Sequence, residues 1–174
     1  MHPMIKKDGT DWEVLSFMPE PKRINTPYDD LTYQIIGCAM AVHSRLGPGY
    51  REDTYQRDLE VHLHERNIFF ESQKLYEVRD TLTGDALIGY YIPDLMVDDK
   101  VVVELKAVKG IDNTHLAQVI GYLAVTGCSL GLLINFGERR LVYKRVLPPK
   151  KIQEHRVNRQ WLFIPDWLRQ AEDI

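Results

Sequence analysis

The chain has 174 residues, 44% of them hydrophobic, with a formal net charge of −3, which allows one buried core plus extensions and argues against a generic nucleic-acid coating protein. No apolar run is long enough to cross a bilayer, and MHPMIKKDGTDWEVL lacks the apolar core of a secretory signal, so a cytoplasmic location with no membrane association is expected. The charge is uneven: Arg139 to Gln160 holds 8 Lys and Arg against 1 acid, a balance of +7, whereas residues 161–174 carry −2 and residues 1–138 carry −8.

Residues 1–25 are polar, contain Pro3, Pro19 and Pro21 and show no sustained periodicity, which marks an N-terminal extension. A single domain over 26–147 follows. Thr26-Pro27 with Asp29 and Asp30 predicts a helix start, from a capping hydroxyl, a proline at the first helical position and acids at the positive end of the dipole. Leu31, Ile35, Ala39, Val42 and Leu46 share one face of this helix, and Gly47-Pro48-Gly49 stops it. A second helix is expected from Arg51 to Arg66, with Asn67 in the left-handed end conformation. Its buried stripe is Tyr55, Leu59 and Leu63, and Glu52 lies on the same face, aiming a carboxylate at the interior, where it needs a partner.

Strands are expected over Lys74–Val78, over Ala86–Ile92 continuing toward Val97, and over Val101–Val108, with turns at Thr83-Gly84-Asp85 and Asp98-Asp99-Lys100. A helix over Asn113–Val125 ending at Gly127, a strand over Leu130–Phe136 and another over Leu141–Val146 complete the pattern. Residues 148–174 form a C-terminal extension. Pro148-Pro149-Lys150-Lys151 opens it, and Trp161, Phe163 and Trp167 are expected in a short helix that packs on the domain or on a partner chain. Cys38 and Cys128 lack metal-ligand spacing and read as reduced thiols. His62 and His64, two apart on a helix, lie on different faces and make a poor ligand pair, and neither Ser44, Ser129 nor Cys128 has an activating base at recognisable spacing.

The stretch YIPDLMVDDKVVVELKAV carries the chemistry. Alternation puts Glu104 and Lys106 on one strand face and Val101, Val103 and Leu105 on the other. With Asp98-Asp99-Lys100 as a three-residue loop, Val97 opposes Val101, Leu95 opposes Val103, and Asp94 opposes Glu104, with β-carbons about 5 Å apart. Two carboxylates at that separation repel unless a divalent cation lies between them, and oxygen ligands of this kind favour Mg²⁺ or Mn²⁺ over Zn²⁺. Lys106 on the same face is placed to hold a water or a phosphate oxygen. Glu52, Asp94, Glu104 and Lys106 are expected on one side of the core. Taken alone, Glu104-Leu105-Lys106 also reads as an exposed strand pair.

Pro93-Asp94, nine residues, then Glu104-Leu105-Lys106 resembles the PD-(D/E)XK nuclease superfamily. Gly49-Tyr50-Arg51-Glu52-Asp53-Thr54-Tyr55 is similar to the G-x-x-E-x-x-Y motif of the GxxExxY proteins, and Gln118-Val119-Ile120-Gly121-Tyr122 to the Q-x-x-x-Y motif of the RecB-like and Cas4-like branch. The resemblance, over roughly residues 28–146, implies an α/β fold with a restriction-endonuclease-like core: a central mixed β-sheet flanked by helices in the order αβββαβ. It further implies that Glu52, Asp94, Glu104 and the backbone carbonyl of Leu105 hold Mg²⁺ or Mn²⁺, and that Lys106 serves the attacking water. Gln118 and Tyr122 would touch the substrate, with helix packing as the alternative, and Tyr55 is placed with them. His115, three residues before Gln118, either borders the site or caps the helix.

The function expected is metal-dependent hydrolysis of DNA phosphodiesters. The alternatives are a non-cutting nuclease-fold module that binds nucleic acid or a protein partner through Arg139, Arg140, Lys144, Arg145, Lys150 and Lys151, and an interaction protein whose terminal aromatics drive homo-oligomerisation.

Overall fold

The structure is a computed structural model that describes residues 26–80 and 86–150. The N-terminal extension, the Thr83-Gly84-Asp85 turn, Lys151 and the aromatics Trp161, Phe163 and Trp167 lie outside the described residues.

Helix α1 spans Asp29–Leu46 and buries Ile35, Cys38, Ala39 and Val42. It begins later than expected: Tyr28 takes a left-handed conformation (φ 59°) at the N-cap, and the Thr26 hydroxyl bonds the Asp29 carboxylate. Pro27 therefore belongs to the preceding turn, while Asp29 and Asp30 still complement the dipole from the first turn. At Gly47 (φ 69°) the chain leaves the helix. Helix α2, Glu52–Glu65, buries Tyr55, Leu59 and Leu63, and Asn67 is left-handed (φ 55°) as expected.

The strands are β1 (Phe70–Ser72), β2 (Tyr76–Asp80), β3 (Ala86–Tyr91), β4 (Leu95–Val97), β5 (Val101–Lys106), β6 (Leu130–Asn135) and β7 (Val142–Val146), with helix α3 (Asn113–Thr126) between β5 and β6. The main sheet runs β1-β4-β5-β6-β7, parallel at β5–β6 and antiparallel elsewhere. Strand β1 was not expected from the sequence. The run expected from Ala86 toward Val97 breaks at Ile92-Pro93-Asp94, where proline withdraws a ladder donor, and β2 with β3 forms a separate two-stranded ribbon.

Alternation along the buried central strands splits the core. Val101, Val103, Leu105, Leu132 and Ile134 face α1 and α2, while Val102 and Leu133 face Val119, Tyr122 and Leu123 of α3. The fold is thus the expected mixed sheet flanked by helices, with β5 and β6 as its parallel central pair. Among the described residues, no helix is long and apolar enough to cross a membrane.

Candidate active site

The β4–β5 hairpin sets the site. Asp98 and Asp99 both adopt positive φ (51° and 52°), aspartate being among the residues that tolerate this conformation, and close the loop between Val97 and Val101. The register is Val97↔Val101, Met96↔Val102 and Leu95↔Val103, so Asp94 comes abreast of Glu104 as the odd loop requires. Asp94 Oδ2 accepts the Leu105 backbone N–H at 2.7 Å. Glu104 is only 3% exposed; its Oε1 accepts from Lys106 Nζ at 2.7 Å, whereas its buried Oε2 has no hydrogen-bond partner among the described residues.

Glu52 reaches this place from the other side. Helix α2 packs on the face that carries Val101, Val103 and Leu105, whereas Glu104 alternates toward α3. The expectation that all four polar groups share one side of the core is thereby corrected: two layers deliver them to the end of β5. Glu52 is also exposed rather than turned inward, because it opens its helix at the surface, and its Oε1 accepts the Ala107 backbone N–H at 3.1 Å.

Among the described residues, no three His, Cys, Asp or Glu side chains form a ready-made metal cluster. The carboxyls of Asp94 and Glu104 act directly on one another and the charge of Glu52 also reaches Asp94, while each acid engages its own donor: Asp94 the Leu105 N–H, Glu104 the Lys106 ammonium and Glu52 the Ala107 N–H. The donor chemistry nonetheless fits a hard cation. Burial, then the charge of Asp94, pushes Glu104 up to about 7, with Lys106 opposing. Burial likewise raises Asp94, against the Leu105 N–H and the Lys106 charge. A cation beside the orphaned Oε2 of Glu104 would satisfy that atom and relieve both carboxylates.

A family model of the PD-(D/E)XK nuclease superfamily matches residues 29–146. The chain belongs to the PD-(D/E)XK nuclease superfamily. The solved structure titled "Crystal structure of SSO0001" is similar at 17% identity and TM-score 0.46, over 60% of this chain and 56% of that one, so the match spans little more than half of that protein. An alkaline exonuclease (LHK-Exo) from Laribacter hongkongensis is similar at 12% identity and TM-score 0.44, over 71% of this chain and 74% of that one. No curated protein sequence matches.

In this nuclease-superfamily domain, α3 covers the Asp94–Glu104 pair. Tyr122 is buried, donates its hydroxyl to the Ile92 carbonyl at 3.2 Å and accepts from Gln118 Nε2 at 2.9 Å. Burial and the charge of Glu104 push its phenol up to about 12. Gln118 is half-buried above it, so the Q-x-x-x-Y pair acts as one hydrogen-bonded unit, one helical turn apart. His115 caps α3: its Nδ1 accepts the Asp112 N–H while Asp112 Oδ1 accepts the His115 N–H, both at 3.1 Å.

Placing Tyr55 with the substrate-binding residues is corrected. Its ring is fully buried, stacks on Phe136 at 4.5 Å, and its hydroxyl is committed to the loop before α2, so no face is open to a substrate.

Two residues were missed. Gln56, one turn beyond Glu52, donates to the Asp94 carbonyl at 3.4 Å. With Glu52, Gln73, Asp94 and Ala107 it lines a cleft of about 520 Å³. Asn135 is fully buried at the end of β6 and satisfies four bonds: from Val108 N–H (3.0 Å) and Gly137 N–H (3.1 Å), and to Val108 C=O (2.9 Å) and Glu138 Oε1 (3.0 Å). The one signal was a polar residue closing the otherwise apolar LGLLIN.

Proposed function

We propose that this chain is a Mg²⁺- or Mn²⁺-dependent nuclease that hydrolyses DNA phosphodiesters, within the GxxExxY group of its superfamily. The observation carrying this reading is Asp94 abreast of a buried Glu104 whose Oε2 has no hydrogen-bond partner among the described residues, with Lys106 Nζ 2.7 Å from Oε1. Glu52, Asp94, Glu104 and the Leu105 carbonyl would hold the cation. When bound, it supplies charge neutralisation at the scissile phosphate and makes water acidic enough to attack near neutral pH.

The chain's own groups do the rest. Lys106 is 11% exposed and held by Glu104, a preorganised ammonium aimed where negative charge develops on phosphorus oxygens. Gln118, half-buried beside the site, contacts the substrate backbone through its amide. The cleft beside Glu52 and Asp94 lies at the carboxyl ends of the parallel strands, the usual place for a ligand on such a sheet. The exposed Arg139 and Arg140 of the β6–β7 turn leave the sheet at this same end and attract phosphates.

The test is incubation of purified protein with single- and double-stranded DNA and Mn²⁺, beside Asp94→Ala and Lys106→Ala. Loss of cleavage in both variants is expected, and cleavage surviving both overturns the mechanism. Salt-sensitive DNA binding without cleavage by the wild type would instead mark the non-cutting module, whose surface is the exposed Arg139, Arg140, Lys144 and Lys150.

A further inference from the structure

The G-x-x-E-x-x-Y stretch holds an acid and an aromatic one helical turn apart, and the structure gives the aromatic no access to substrate. Helical side chains lean toward the N-terminus, so Tyr55 reaches back under the first turn of α2 to the loop that precedes Glu52. There its hydroxyl makes two bonds, accepting from Tyr50 N–H at 3.1 Å and donating to the Gly47 carbonyl at 2.7 Å. Between those residues Gly49 sits at φ 115°, a conformation that a side chain would strain. The hydroxyl thus bridges both ends of a Gly-Pro-Gly loop with no regular structure of its own.

The ring extends the connection. It stacks on Phe136 with centroids 4.5 Å apart and planes 11° from parallel. Phe136 in turn donates its backbone N–H to the Lys106 carbonyl at 2.7 Å. One continuous path therefore runs from the loop before Glu52, through Tyr55 and Phe136, to the end of β5 that presents Glu104 and Lys106. Glu52 closes the circuit on Ala107 N–H, the next amide along.

We propose that Tyr55 is a positioning residue: its hydroxyl and its stack on Phe136 hold the α2 N-terminus against the end of β5, and so set Glu52 on Ala107 and toward the Asp94–Glu104 pair. The part of this inference that concerns metal rests on the nuclease reading above; the tether itself does not. Tyr55→Phe keeps the stack and removes both hydroxyl bonds at a surface loop, so the fold survives.

The test is a double-mutant cycle with Tyr55→Phe, Glu52→Ala and the pair, read by amide hydrogen exchange at Ala107 and by Mn²⁺ titration calorimetry. Each single substitution is expected to speed Ala107 exchange about tenfold, the scale of a lost charge-assisted hydrogen bond. The double variant should exchange no faster than Glu52→Ala, since Tyr55 acts through Glu52. Mn²⁺ affinity should fall about tenfold in Tyr55→Phe, and raising Mn²⁺ should restore its cleavage rate, with thermal unfolding in chelator showing the variant fully folded at the assay temperature. Unchanged Ala107 exchange in Tyr55→Phe, or effects that multiply in the double variant, overturns the inference. Absence of Mn²⁺ binding by the wild type would sink the metal reading instead, with the exchange cycle still deciding the tether.

Discussion

Replacing Glu104 with Gln is expected to make the chain more stable at pH 8 in the presence of a chelator and, on the nuclease function proposed above, to remove metal-dependent cleavage. The Glu104 carboxyl is raised from 4.5 to about 7, by burial first and by Asp94 second. At about 1.4 kcal/mol for each pH unit, holding it ionised in the folded state costs about 3 kcal/mol. Because the folded value lies above the unfolded one, wild-type stability from this group is greatest below 4.5, falls as pH rises toward 7 and stays low above it. Gln keeps the shape and an acceptor for Lys106 without the charge. The raised value already contains the Lys106 attraction, so the gain at pH 8 stays on the order of 3 kcal/mol, or roughly 6–12 °C in Tm for a chain of this size. Thermal unfolding of both proteins at pH 8 and pH 5 measures it, and the gain should shrink toward zero at pH 5, where the folded wild type already carries the proton. A variant no more stable than wild type at pH 8, or one whose gain is equal at both pH values, would refute the reasoning.

On the proposed metal site, wild-type Mn²⁺ affinity should rise with pH through about 7, since binding there would require Glu104 to lose its proton; titration calorimetry at pH 6, 7 and 8 showing a flat response would contradict this. Asn135→Ala should destabilise by roughly 2–4 kcal/mol in urea titrations, because it leaves the Val108 amide and carbonyl and the Gly137 amide without their partner. Gly137→Ala should lower both stability and cleavage, since a β-carbon there would overlap the Val108 backbone, and wild-type behaviour would show that this close approach is unimportant. Inserting one glycine between Asp98 and Asp99 makes the loop even and is expected to abolish Mn²⁺ binding by turning Asp94 away from Glu104; retained affinity would show that the register does not set the site.

Local periodicity carried much of this molecule. The stripe Tyr55, Leu59, Leu63, the alternation in VVVELK and the odd Asp98-Asp99-Lys100 loop were all legible, because a helix or a strand fixes by its own geometry which side chains share a face. A loop of odd length likewise settles a register without reference to the rest of the chain. Asp94 beside Glu104 follows from those two facts alone.

Relations between elements were decided elsewhere. Nothing in the spacing of Glu52 says that its helix lies on the face opposite Glu104, or that its carboxylate would meet a backbone amide at the strand end. Tyr55 read as a substrate contact because its motif position is local, whereas its burial against Phe136 is a contact across 81 residues of sequence. The β2–β3 ribbon separated from the main sheet, and Asn135 became a clamp on Val108, for the same reason. Which layer covers which, and which buried polar group is left to find a partner, depends on the packing of distant segments, and that free energy exists only once the chain has closed on itself.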